Sequence, residues 1–325
     1  MEIFKNNTTF DFMKKRKPFL GLSLVFVLCS FLLISFKGLN FGIDFNGGTL
    51  IQLQYKNNIK LEDIRTKLNN IPKYNNSTIT TFGNDNEILI KVSNTTTNID
   101  KDIGDELQTI LKSTGSFEIR RVDMVGPKVG NELREKGLIA LVLSLFIILI
   151  YVSFRFEWKF AIASISALIH DIIITLGFIS IFAIEVNLDI LAALLTILGY
   201  SLNDTIIVFD RIRETLNNLK NKTTSLINVL NKAINNSLSR TLITSLTTFF
   251  VVLTLFIFGG DIIFGFSFTL LIGVIIGTYS SIFIASTFLI TLDFSIPKYK
   301  EKQAIKEAEK KEKDRMRKQF ENGVV

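Results

Sequence analysis

The sequence predicts a polytopic α-helical membrane protein, with six transmembrane helices and one small α+β ferredoxin-like extracytoplasmic domain between helices 1 and 2. Three observations carry that expectation. Apolar residues make up 48% of the 325-residue chain and gather into long runs, and a run of about 18 at ~1.5 Å rise per residue reaches across a bilayer's hydrocarbon core. Basic residues collect in alternate connections between those runs. One long polar segment, 37–137, has the strand and helix periodicities of a domain folding in water.

The runs are Phe19–Phe36, Leu138–Phe154, Phe160–Ile184, Leu188–Phe209, Leu242–Phe258 and Ile262–Leu292. The second is barely long enough and is expected to begin earlier, while the sixth is long enough to require a tilt, a kink or an emergent end. The chain thus divides into an N-terminal segment (1–18), helix 1 (19–36), the α+β domain (37–137), helices 2–6 (138–293) with an amphipathic connection at 210–240, and a charged tail (294–325). The basic start and apolar first run resemble a signal peptide. Ile34-Ser35-Phe36-Lys37 offers no A-x-A-like site, however, so an uncleaved anchor is expected.

Charge sets the expected orientation. Five basic residues precede the first run, six lie in Arg211–Arg240, ten follow the sixth run, and none occurs in Glu185–Asn187 or Gly259–Asp261. That asymmetry places both termini in the cytoplasm. The net charge of +7 therefore reports topology and not a nucleic-acid partner. The segment between the first two runs carries 14 basic residues, but long loops cross largely regardless of charge.

Within 37–137, Thr49–Tyr55 alternates Ile51, Leu53 and Tyr55 with polar positions, a strand pattern. Leu61, Ile64 and Leu68 mark a short helix over Leu61–Leu68. Ser77–Phe82 and Glu87–Val92 flank the turn Gly83-Asn84-Asp85-Asn86 as a hairpin. Ile99–Leu111 repeats the helical spacing, and Ser116–Val122 closes the series. The order β-α-β-β-α-β is the ferredoxin-like one. Later, Leu226, Ile227, Val229, Leu230, Ala233, Ile234 and Leu238 form an apolar stripe opposite Asn228, Asn231, Lys232 and Asn235. That amphipathic helix would lie in the membrane interface or against the bundle and lead into the fifth span.

Ionisable residues inside the runs are the candidates for chemistry, because an Asp or Arg at a helix centre costs roughly 2.5–3.5 kcal/mol on insertion scales. Asn203 and Asp204 lie in the fourth run and Arg240 at the start of the fifth, at similar expected depth, so a neutralising Asp204–Arg240 partnership is reasonable. Arg240 reads equally well as a snorkelling anchor. His170 and Asp171 fall mid-way along the third run. Adjacent helical positions point about 100° apart, so they are not expected to pair, although Asp171 could share a polar interior with Asp204. Gly265, Gly273, Gly277, Ser281 and Ala285 give the sixth run a small-residue face for close packing. Cys29 reads as a small buried apolar side chain. No phosphate-binding loop, metal-spaced His/Cys cluster or nucleophilic triad is present, so no cofactor and no enzymatic activity are expected.

Gly42-Ile43-Asp44-Phe45-Asn46-Gly47-Gly48-Thr49 resembles the segment after the first span in the SecD/SecF family of the resistance–nodulation–division superfamily. The likeness continues in order through Val125-Gly126-Pro127, Tyr151–Trp158, Leu168–Asp171, Gly199–Thr205, Asp210–Glu214, Leu238–Ser245 and Gly277–Ser281. Thr287 stands where relatives often carry proline. The resemblance implies a SecD partner, the SecYEG channel and YajC nearby, and an unfolded preprotein as cargo. It implies use of the proton gradient after the ATP-driven SecA step, with proton-relay interest on Asp204 and Arg240. It marks Asp44, Gly47 and Gly48 as a structural motif. An efflux or lipid transporter of the same superfamily, usually with two large loops over twelve spans, and a non-transporting scaffold are the alternatives.

Overall fold

The computed structural model describes residues 10–75, 77–93, 103–219 and 224–321. A 3-10 turn at Met13–Lys15 leads into α1 (Arg16–Phe36), the first span. Its apolar side chains, Leu24, Phe31 and Leu32 among them, point outward, whereas Ser23 and Ser30 are the buried ones. In lipid the hydrophobic effect does not pull leucines inward, so small and polar residues make the helix contacts. Cys29 follows the same rule: it is exposed, not buried as its residue type suggested.

The chain leaves the membrane through β1 (Asn40–Phe41) and a single helical turn, α2 (Ile43–Asn46), before β2 (Gly48–Tyr55). Helix α3 (Leu61–Asn69), β3 (Thr78–Phe82), β4 (Asn84–Ser93), α4 (Ile103–Leu111) and β5 (Phe117–Val125) complete the unit. The strands pair in the order β3-β4-β2-β5, every neighbour antiparallel, which is the ferredoxin-like arrangement. One sheet face buries Ile51, Leu53, Ile88 and Ile90 against Ile64, Leu68, Leu107 and Leu111 of the two helices. The hairpin is tighter than expected. Phe82 pairs directly with Asn84 around Gly83 at φ +75°, because sheet pairing draws the turn-forming asparagines into β4. The expected start of the second helix at Ile99 lies outside the described residues.

Helix α5 (Pro127–Arg155) carries the second span and begins eleven residues before the apolar run, with Pro127 at its first position where no amide donor is needed. Helix α6 (Trp158–Ile181) is the third span, and the short β6 (Glu185–Val186) lies parallel to β1. The fourth span, α7 (Leu188–Asn217), and the fifth, α8 (Leu226–Phe258), are long continuous helices. The sixth is interrupted: α9 (Gly260–Ser280) passes through a π turn at Ser281–Ala285 into α10 (Ser286–Thr291). The long run was expected to tilt, kink or emerge, and a π turn is one of the features at which helices bend. Helix α11 (Ile296–Glu321) forms the charged tail, anchored by buried Ile296 and Tyr299. Burial raises the Tyr299 phenol above its usual range.

The amphipathic connection proves to be the first part of α8. Its stripe Val229, Leu230, Ala233, Ile234 and Leu238 packs into the bundle with Phe160, Phe209 and Leu289, rather than lying in the membrane interface. The opposite face is also occupied: the Met13 amide donates to Asn231 Oδ1 at 3.0 Å, and Asn235 exchanges bonds with the Phe10 backbone.

Candidate functional site

Two buried carboxylates meet at α7: Asp171, from the neighbouring α6, and Asp204, which α7 itself carries. Asp171, fully buried, accepts hydrogen bonds at Oδ2 from Ser201 Oγ of α7 at 2.6 Å and from Ser280 Oγ of α9 at 2.8 Å. Its Oδ1 lies 2.9 Å from His170 Nδ1. The neighbours His170 and Asp171 therefore do pair, because a long imidazole can swing back over its own helix to a carboxylate that the 100° offset alone seemed to put out of reach. His170 Nε2 is buried with no hydrogen-bond partner among the described residues. The result is one polar node joining three spans, and the π turn in the sixth span starts at the residue after Ser280. Such turns recur at functional sites in helices.

Asp204 is also fully buried. Its Oδ2 accepts from Ser245 Oγ of α8 at 3.0 Å, whereas Oδ1 has no partner among the described residues. Thr244 cannot supply one from its present rotamer, since its hydroxyl proton is directed to the carbonyls of Arg240 and Thr241 at 3.0 and 2.9 Å. Thr205 and Thr241, on the same helix pair, also have buried hydroxyls without partners among the described residues.

The expected Asp204–Arg240 partnership is not formed. Arg240 is exposed and makes no ion pair among the described residues. Helical geometry explains this: Arg240 precedes Ser245 by five residues, about 7.5 Å along the axis and about 140° around it. The charge thus lies farther from the sheet domain than Asp204 and on another face of α8. Asn203 is exposed as well. Of the four proton-coupling candidates, Asp171 and Asp204 are gathered into the interior, whereas Asn203 and Arg240 face outward.

Ser201 and Asp204 stand three residues apart on α7, a spacing that puts side chains about 5–6 Å from each other. The two sites are thus neighbours along α7. The small-residue face of α9 permits this closeness. A Cβ on Gly273 would meet Ile197 at 2.2 Å, and one on Gly277 would meet Ser201 at 3.0 Å. Sequence reasoning passed over Ser201 and Ser280 because serine is ordinary in a membrane helix. The one available signal was a serine on each of two helices flanking an intramembrane aspartate.

The motif after the first span ties the sheet domain to α7. Asp44 Oδ2 accepts from the Leu188 amide at 3.0 Å, while Asn187 caps the same helix by accepting from Ile190 N at 3.0 Å. A carboxylate at a helix N-terminus satisfies an orphan donor and meets the positive end of the dipole. The Gly42 amide donates to Val186 O at 2.8 Å beside the β1–β6 pair. Lys91 of β4 pairs with Glu185 at 3.0 Å, and Thr81 donates to Asp261 at the start of α9 at 3.2 Å. Asp44→Ala is expected to lower stability by about 1 kcal/mol, readable as a drop in the melting temperature of the purified protein.

Comparisons with known proteins give the family. The description "SecD/SecF GG Motif" matches residues 32–59, and "Protein export membrane protein SecD/SecF, C-terminal" matches residues 106–295. The first region holds Asp44, Gly47 and Gly48, and the second holds both buried carboxylates. The chain is 46% identical to the protein translocase subunit SecF of Helicobacter pylori strain J99, covering 100% of each. It is 49% identical over 294 residues to the SecF of Calditerrivibrio nitroreducens, covering 88% of this chain and 95% of that one. The crystal structure of SecDF from Thermus thermophilus, described as a translocon-associated membrane protein, matches with a TM-score of 0.78 and 34% identity. That match covers 90% of this chain and 40% of the longer one. With a family match over more than half its residues and full-length relatives well above 30% identity, the chain belongs to the SecD/SecF family of protein-export membrane proteins.

Proposed function

We propose that the chain works with a SecD subunit to convert the proton motive force into late steps of preprotein translocation through the SecYEG channel, after the ATP-dependent SecA step. The observation that carries this reading is Asp204: a carboxylate fully buried within a span, with one oxygen unpartnered and no cation within ion-pair distance among the described residues. Intramembrane carboxylates of this kind mark ion and proton pathways.

The energetics suit the task. One proton crossing roughly 150 mV releases about 3.5 kcal/mol, which can bias a two-state equilibrium a few hundredfold. In this reading a proton on Asp204 changes its partnership with α8. Arg240, held by a flexible stem outside the site, approaches only in another arrangement of the fourth and fifth spans. Asp171 holds α7 against the third and sixth spans and forms the second station of the pathway. The sheet domain, fastened to the start of α7, moves with that helix and handles the emerging chain. The bundle sits in a bacterial inner membrane with both termini cytoplasmic and 37–137 extracytoplasmic. YajC is the further expected neighbour, and neither nucleic acid nor a cofactor has a role.

The test uses inverted membrane vesicles in which a preprotein is arrested part-way and ATP is then removed. Completion of export on imposing a proton gradient, lost with a protonophore and lost again when this chain is depleted, is the expected result. Mild-detergent isolation should recover SecD and the channel subunits. Gradient-independent completion, or unchanged export after depletion, would overturn the proposal.

A further inference from the structure

Away from the buried carboxylates, an apolar groove of about 700 Å³ opens beside the outer turns of the bundle. That size lies within the ~300–1,000 Å³ typical of small-molecule sites. Phe41, Leu141, Leu176, Leu191 and Leu194 form its walls, and Asn131 and Arg134 stand on its rim with Glu135. Gly137 forms part of the wall, where an added Cβ would meet Leu191 at 2.9 Å.

The groove lies across the membrane boundary on the domain side. Leu138 opens the apolar run of the second span, and Arg134 and Asn131 precede it by one and two helical turns. The walls are therefore at hydrocarbon depth and the rim at headgroup depth. Arg134 is exposed, its guanidinium 5.3 Å over the Phe41 ring, and it forms no ion pair with Glu135 or any other carboxylate among the described residues. A guanidinium held on a ring but left without an anion presents its fork to a phosphate, which it matches in shape and charge. Asn131, three residues earlier on the same helix, adds an amide donor on the same side. Arg134 and Glu135 balance in formal charge on the rim, but they form no ion pair with each other among the described residues, so the guanidinium stays open to an anion.

We propose that this groove binds a phospholipid of the domain-side leaflet, with one acyl chain against Leu141, Leu191 and Leu194 and the phosphate on Arg134 and Asn131. A free phosphate would leave the leucine walls uncovered. A partner's helix, about 10–12 Å across, would have to bring its own anion to Arg134. A phospholipid supplies both parts in the order in which the groove presents them.

The test reconstitutes the full chain into phosphatidylcholine–phosphatidylglycerol vesicles containing a small fraction of phospholipid with a diazirine on one acyl chain. Irradiation, digestion and mass spectrometry then map the adducts. Adducts concentrated on Leu138, Leu141, Leu191 and Leu194 are expected. R134Q should reduce them about tenfold, the loss of one charge-assisted contact, whereas R134K retains most of them. L194W should remove the groove adducts while labelling of lipid-facing Leu24 and Phe31 continues, which separates filling of the groove from misfolding. Uniform labelling over all exposed apolar residues would overturn the proposal. So would groove adducts indifferent to R134Q, or their disappearance when a SecD subunit is co-reconstituted, which would make the occupant a partner protein.

Discussion

Asp204→Asn is expected to abolish gradient-driven completion of export while leaving the ATP-driven part intact. The substitution keeps the volume and keeps an acceptor for the Ser245 hydroxyl, which donates to Oδ2 at 3.0 Å. It removes only the capacity to bind and release a proton. If the full proton energy passes through this residue, the loss is of order a few hundredfold in the bias between arrangements. Export in inverted vesicles should then fall to the rate seen with the gradient collapsed. Melting temperature should change little, because the side-chain volume and the Ser245 hydrogen bond are kept. Retention of gradient-dependent export in folded Asp204→Asn protein would exclude the relay. Arg240→Met gives the complementary measurement. Since Arg240 is exposed and outside the site in this arrangement, its loss should slow the cycle without altering the stability of this state.

The second large effect is structural and arises at the motif after the first span. Gly47 adopts φ +79°, and a Cβ there would lie 2.8 Å from the Pro127 N and Cα atoms. Gly47, with ψ 153°, lies in an extended positive-φ region that is essentially glycine's alone, so Gly47→Ala combines backbone strain of about 1–3 kcal/mol with a backbone clash that no side-chain rotation relieves. A loss of more than about 3 kcal/mol is expected. Gly126 is the matched control: it also adjoins Pro127, has an ordinary φ of −68°, and an added Cβ would meet nothing within 4 Å. Gly126→Ala should be nearly neutral. Thermal unfolding and steady-state protein level, measured for the pair, distinguish a requirement for glycine at position 47 from general sensitivity of this linker. Equal effects at the two positions would contradict the geometry.

Much of the fold was legible in the sequence because its signals are local and redundant. Apolar runs give spans, and the alternation around Ile51 and Leu53 gives the central strand together with its buried face. What escaped depends on long-range geometry. The β1–β6 pair has two residues on each side, too few for any periodicity, and exists only because the first span's exit passes the loop between the third and fourth. The hairpin over 82–84 closes more tightly than Asn84-Asp85-Asn86 suggests because strand pairing overrides turn propensity.

At the site, residue type was informative and azimuth was not. Asp171 and Asp204 were identified as intramembrane acids, and both are buried. Depth alone suggested an Asp204–Arg240 pair, but the 140° that separates Arg240 from Ser245 around α8 puts the guanidinium on a different face. The serines that hold the carboxylates carry no signal until helix packing is known. Cys29 was misread by applying the burial habits of water-soluble proteins to a helix surrounded by lipid.

Leu188, whose amide Asp44 caps, and Asp204 belong to one unbroken helix. Sixteen residues separate them, about 24 Å by helical rise. Two unit charges that far apart interact by only about 0.7 kcal/mol at an effective ε of 20, a small part of what a proton crossing the membrane would release. What passes between them passes chiefly as displacement of a stiff rod, and α7, free of proline, transmits a shift from one end to the other with little loss. A pair of spin labels, one near Asp44 and one beyond Asp210, should then keep a constant separation throughout the working cycle, while the distance from either label to α5 changes.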